Sequence, residues 1–134
     1  MFLLDTNICI FIIKKRYESV LKNLKKNINK GLYISSITLA ELEFGIENAN
    51  PEYNSRNRIA LMEFLAIFTI INFDEKASKE YGKIKKDLKD RNCIIGPLDM
   101  LIGAHAKSMQ MTLVTNNTKE FSRINDLKTE DWAK

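Results

Sequence analysis

Three acids in this chain occupy positions where a folded domain could put them to chemical use. Asp5 closes the apolar run Phe2-Leu3-Leu4. Glu41 falls in the first turns of the helix expected after Leu32-Tyr33-Ile34-Ser35, and Asp99 follows Gly96-Pro97 at the start of another helix. In open sheets of parallel strands, the strand-to-helix junctions share one edge, and ligands bind there. Three carboxylates gathered at that edge repel one another unless a cation sits among them. Magnesium is the natural candidate, because it takes hard oxygen ligands and needs few carboxylates besides water and a substrate phosphate. Such an ion would activate water for in-line attack on a phosphodiester.

Each acid also has an ordinary structural reading. Asp is a favoured helix N-cap, which would account for Asp5. Glu41 stands three residues after Thr38, the spacing of a capping box. Asp99 in a first turn would complement the helix dipole. The functional reading rests on all three acids occurring at comparable junctions.

Other chemistries lack their residues. His105 is the sole histidine, so a metal-free nuclease with paired histidines is excluded. There is no glycine-rich phosphate loop, no dinucleotide fingerprint and no Gly-x-Ser-x-Gly elbow. Cys9 and Cys93 stand alone without metal-ligand spacing and are expected to be buried structural residues. Their scarcity fits a reducing cytosol, and a cytoplasmic location is expected.

The elements that must position the acids follow from the apolar pattern. A length of 134 residues suits one domain, 1–134, and an apolar share of 45% with few Gly and Pro excludes a disordered chain. Strands are expected at Phe2–Leu4, Leu32–Ser35, Thr69–Phe73, Thr112–Thr115 and Leu127–Glu130. Between them lie helical stretches. One runs from Tyr17 to Lys30 and ends at Gly31, one is capped by Ser36 or Thr38, and one is capped by Asp74 and continues to about Asp90. The helix opened by Gly96-Pro97 places Leu98, Leu101, Ile102 and His105 on one face. Strands alternating with helices imply an α/β fold, a mostly parallel five-stranded sheet with helices on both faces. Ile59, Met62, Leu65 and Phe68 exceed what one helix face of a small domain hides, which suggests a dimer or partner surface.

The charge is mildly basic, +4 at pH 7, which suits a polyanionic partner. Residues 1–30 hold seven Lys or Arg against Asp5 and Glu18, and Lys14, Lys15 and Arg16 are the expected contacts for flanking phosphates. Lys76, Lys79, Lys83 and Lys86 recur at helical spacing, where a solvated face is an equal reading. No apolar stretch is long enough to span a membrane, and the first thirteen residues lack the charge order of a signal peptide.

Four segments in register carry a family resemblance: Leu3-Leu4-Asp5-Thr6-Asn7, Ile34 to Leu42 with Gly45, Pro97 to Ala106, and Leu113-Val114-Thr115-Asn116-Asn117 with Phe121. Together they resemble the VapC-type toxins of the PIN-domain family over nearly the whole chain. The resemblance implies the PIN-domain fold, a Mg²⁺ or Mn²⁺ site, and endonucleolytic cleavage of RNA. It also implies a homodimer neutralised by a small VapB-type antitoxin whose C-terminal segment crosses the active-site groove. Carried over by motif, Asp5, Glu41 and Asp99 hold the metal, and Thr6 and Thr115 supply hydroxyls beside them. Asn116 and Asn117 fall at the substrate end of the last motif, and Glu43 is read as a surface acid. The first and last motifs are similar to those of the bacterial subgroup that cleaves initiator tRNA.

One position departs from the family pattern. Asn117 stands where many members carry a fourth acid, so the expected site is three carboxylates and an amide around a single metal. Asn116 and Asn117 also read as simple turn formers. Two rivals follow: a non-catalytic module of the same fold that binds RNA or an antitoxin, and a phosphohydrolase using Asp5 as nucleophile. The second lacks a companion acid at Asn7.

Overall fold

A computed structural model describes all 134 residues. Its sheet is built outward from β1 (Phe2–Leu4), which pairs with β2 (Leu32–Ser35) on one side and β4 (Thr112–Val114) on the other. β3 (Thr69–Ile71) and β5 (Thr129–Glu130) are the edges, giving the order β3-β2-β1-β4-β5 with every pair parallel. β1 and β2 have the expected bounds, whereas β3 and β4 end before Phe73 and Thr115 and β5 begins only at Thr129, after Leu127.

Strand alternation divides the core. Leu3 faces one apolar cluster and its neighbours Phe2 and Leu4 face another, as a side-chain period of two requires. The Leu4 side is covered by α1 (Thr6–Ile13), α2 (Glu18–Asn27), α3 (Ser36–Asn48) and α4 (Asn54–Leu65), through Ile8, Val20, Leu42 and Phe64 among others. The Leu3 side is covered by α5 (Glu75–Asp90) and α6 (Pro97–Ser108), through Ile84, Leu88 and Ile102. The short α7 (Thr118–Phe121) adds Phe121 to that side. A central strand buried on both faces explains why its sequence is a continuous apolar run.

Several expectations change in detail. α2 is shorter than Tyr17–Lys30, since Lys15 and Tyr17 adopt positive φ and turn the chain before it starts. Ser35, rather than Ser36 or Thr38, caps α3, its hydroxyl accepting from the Ile37 amide. Asp74 caps α5 as expected, accepting from the Ala77 amide at 2.9 Å. α6 has no single apolar face: Leu98 is exposed, while Met100, Gly103, Ala104 and Ala106 are buried alongside Ile102 and His105. The helix is wedged between the sheet, α5 and the segment after α7, and a Cβ on Gly103 would come 2.6 Å from Ile124 Cδ1. Along α4 and its exit, Ile59 and Met62 are exposed but Phe68 is buried.

Candidate active site

The carboxyl edge of the sheet collects the three acids. Asp5 continues β1, its amide donating to the Val114 carbonyl of β4, before the chain enters α1. The N-cap reading of Asp5 is correct, and it does not exhaust the residue. Oδ1 accepts from the Ile8 amide at 3.0 Å, whereas Oδ2 accepts from the Thr115 hydroxyl at 2.5 Å. A carboxylate has about four lone-pair positions, so both oxygens retain acceptor capacity. Burial pushes the Asp5 carboxyl up from 3.8 to about 6, and the negative charges of Asp99 and Glu41 add to the effect.

Glu41 lies on the sixth residue of α3, whose start is set by Ser35. The capping-box reading fails because Thr38 lies inside the helix rather than at its N-cap. Glu41 Oε1 instead accepts from the Thr6 hydroxyl at 2.7 Å, across to α1. Thr6 also approaches the Thr38 hydroxyl at 3.3 Å, and its one proton serves the shorter contact. Asp99, in the first turn of α6, accepts at Oδ2 from the Asn117 side-chain amide at 3.3 Å. Partial burial raises its pKa, with Glu120 and then Glu41 acting in the same direction.

Asp5, Glu41 and Asp99 line one open cavity of about 520 Å³, together with Thr6 and Asn7, and no Lys, Arg or His shares that lining. Each acid meets a neutral donor, Thr115, Thr6 or Asn117, in place of a cation. No three acidic, His or Cys side chains stand close enough to form a ready ligand cage. A spread of hard oxygens around an open space still fits Mg²⁺, which keeps several waters and contacts only one or two carboxylates directly. The upward shift at Asp5 comes first from burial, and the uncompensated charges of Asp99 and Glu41 add to it.

The other expected residues divide. Asn117 is brought to Asp99 by its side chain, while its amide donates to Thr115 Oγ1 at 2.9 Å. Asn116 is exposed and makes no side-chain hydrogen bond, so the turn reading suits it. Lys14 lines a groove that shares Glu41 with the acid cavity. Lys15 and Arg16 are exposed beyond the end of α1 and line neither space. Glu43 is held by Arg58 at 2.7 Å and belongs to the surface, as expected. Cys9 is buried, but Cys93 is only partly so.

Glu120 is the residue that sequence reasoning missed. It lies on α7, three residues past Asn117, and its charge acts on Asp99 more strongly than that of Glu41. The corner read as an amide therefore has an acid beside it. The signal was present in Asn117-Thr118-Lys119-Glu120, since Asn followed at the third position by Glu marks a helix start and places both on one turn.

Comparison with known proteins gives the family of the chain and agrees with its fold. Residues 2–127 match the family described as PIN domain. The chain is 41% identical over 134 residues to the tRNA(fMet)-specific endonuclease VapC of Shigella flexneri, covering 98% of each. It is 40% identical over 132 residues to ribonuclease VapC2 of Haemophilus influenzae, again covering 98% of each. Among solved structures, VapBC2 of Rickettsia felis bound to a promoter DNA fragment superposes with a TM-score of 0.91 at 39% identity, covering 98% of both chains. DNA-bound VapBC of Salmonella typhimurium gives 0.90 at 37% identity, covering 98% of this chain and 97% of that one.

Proposed function

The chain belongs to the PIN-domain family and within it to the VapC ribonucleases, and from that premise we propose that it is a metal-dependent endoribonuclease, the toxin of a toxin–antitoxin pair, acting on tRNA. The observation that carries this reading is the cavity walled by Asp5, Glu41 and Asp99 without a basic side chain among its lining. Mg²⁺ or Mn²⁺ held by those acids would supply positive charge to the scissile phosphate and lower the pKa of water.

The protein's own groups divide the remaining work. The α1 amide and the Thr115 hydroxyl hold Asp5 in place, and the Thr6 hydroxyl orients Glu41 toward the same space. Asp99 Oδ1 is not engaged by Asn117, and its raised pKa suits acceptance of a proton from attacking water. Water attacks phosphorus, the 3′ oxygen leaves and takes up a proton, and the products carry a 5′-phosphate and a 3′-hydroxyl. Glu120 acts on Asp99 as a further negative charge near the corner where Asn117 brings none, which supports a catalytic site over a non-catalytic module of the same fold.

The same reading includes a VapB-type antitoxin, a second copy of this chain and a cytoplasmic setting. Phe44 and Leu98, both on the wall of the acid cavity, are 67% and 44% exposed, apolar surface that a protein partner would cover. No helix is long and apolar enough to cross a membrane. Initiator tRNA is the proposed target, following the tRNA(fMet) specificity of the Shigella flexneri relative. Incubating the protein with total cellular RNA and Mg²⁺, then mapping new 5′ ends against an Asp5→Asn control, tests activity and target together. Discrete ends in initiator tRNA are expected, and ends identical in the control would refute the assignment.

A further inference from the structure

A second cavity, of about 500 Å³, opens at the end of α5 and is lined by Lys89, Asn92, Cys93, Ile94 and Arg123. It has two cations and an amide on its walls and no acid. The nearby acids of α5 are already engaged, Asp87 by Arg91 at 2.5 Å and Asp90 by Lys86 at 2.7 Å. Neither Lys89 nor Arg123 has a carboxylate partner. A Lys in the last turn of a helix suits the helix dipole, which accounts for Lys89 alone. It does not account for Arg123 facing the same space from a segment far away in sequence.

Arg123 is also held in position. Its Nη1 donates to the Ile94 carbonyl at 3.2 Å, and its own carbonyl accepts from Arg91 Nη2 at 2.6 Å. An anchored guanidinium and a mobile ammonium around one space, without counterions, favour an anion. Ile94, 49% exposed, adds an apolar wall on which a ribose or base can rest.

Both walls are tied by short stretches of chain to residues of the acid site. Ile94 is five residues before Asp99, within about 18 Å of it even if fully extended. Arg123 is three residues after Glu120. We infer that Lys89, Asn92 and Arg123 form a second phosphate subsite that grips the RNA backbone a few nucleotides from the cleaved bond. This rests on the ribonuclease reading and moves the main phosphate grip away from Lys15 and Arg16. The cavity is open and has no glycine-rich cradle of amides, so it suits a phosphate tethered in a polymer better than a free ion.

Cys93 makes the test direct, because it lies in the cavity while Cys9 is fully buried. Alkylation of Cys93 by iodoacetamide is followed by mass spectrometry in excess chelator, with unfractionated tRNA or with inorganic phosphate at equal phosphate concentration. The expected result is that tRNA slows alkylation severalfold and inorganic phosphate does not. Lys89→Gln combined with Arg123→Gln should abolish the protection and reduce the slope of log affinity against log salt by about 1.4 to 1.8. The Lys89 side chain makes no hydrogen bond in the fold, so Lys89→Gln alone should halve that change without disturbing folding, and Lys89→Arg should restore it. Unchanged protection and slope in the double variant would overturn the subsite. Protection by inorganic phosphate alone would assign the cavity to a free anion and overturn the RNA assignment. Binding read in chelator is separate from cleavage, so protection without Mg²⁺-dependent products would leave the subsite standing and refute the nuclease.

Discussion

The Thr115 hydroxyl donates to Asp5 Oδ2 at 2.5 Å, joining the end of β4 to the end of β1 across 110 positions of sequence. Thr115 is fully buried and also accepts from the Asn117 amide, so one hydroxyl sets both Asp5 and the turn that carries Asn117 toward Asp99. Thr115→Val should remove both bonds and cost about 1–3 kcal/mol of stability, as for a buried polar group left without its partner. Urea unfolding measures this. Thr115→Ser keeps the hydroxyl and should retain cleavage, whereas the Val variant should lose most of it.

Asp5 carries a conflict between stability and function. Its folded pKa, about 6, lies above the ordinary 3.8, so the folded state binds the extra proton between those values. The stability this contributes is fully present below pH 3.8 and lost as the pH rises through about 6. At pH 7 the buried charge costs on the order of 3 kcal/mol. Asp5→Asn should therefore be more stable than wild type at pH 7 in chelator, by about 1–3 kcal/mol, and the gap should close on acidification. Thermal melts across pH read the effect. Added Mg²⁺ should stabilise the wild type and leave the variant unmoved.

His105 titrates in the opposite sense. Its ring is buried, with Nδ1 at 2.8 Å from the Ser35 hydroxyl and Nε2 without a partner, and burial lowers its pKa. The stability tied to its neutral form is present above about 6.5 and lost as the pH falls through its depressed folded value. The two titrations partly cancel in the wild type. Measured in the Asp5→Asn background, stability should fall as the pH drops from 7 toward 5, and adding His105→Leu should flatten that slope.

Much of the fold was legible because its signals are local. Apolar runs marked the first four strands, and Asp74 and Gly96-Pro97 marked the starts of α5 and α6. Asp5, Glu41 and Asp99 could be placed on one edge because parallel strands put their carboxyl ends together. What escaped were features set by packing between distant segments. Leu98 reads as core on a helical wheel, yet α6 is enclosed on several sides and its first turn faces the cavity. The cap of α3 fell on Ser35 because the residue ends β2 and faces His105, a contact across 70 positions. Glu120 was overlooked because α7 is one turn long and carries no apolar period.

The central claim is that cleavage needs a divalent cation held by these carboxylates. Its most direct test is the rate of RNA cleavage by chelator-stripped protein titrated with Mg²⁺ or Mn²⁺, for wild type and Asp99→Asn side by side. The expected result is no cleavage before metal is added, full recovery in the wild type, and a rate at least about 100-fold lower in Asp99→Asn. Undiminished cleavage in excess chelator, or an Asp99→Asn variant as fast as wild type, would contradict it.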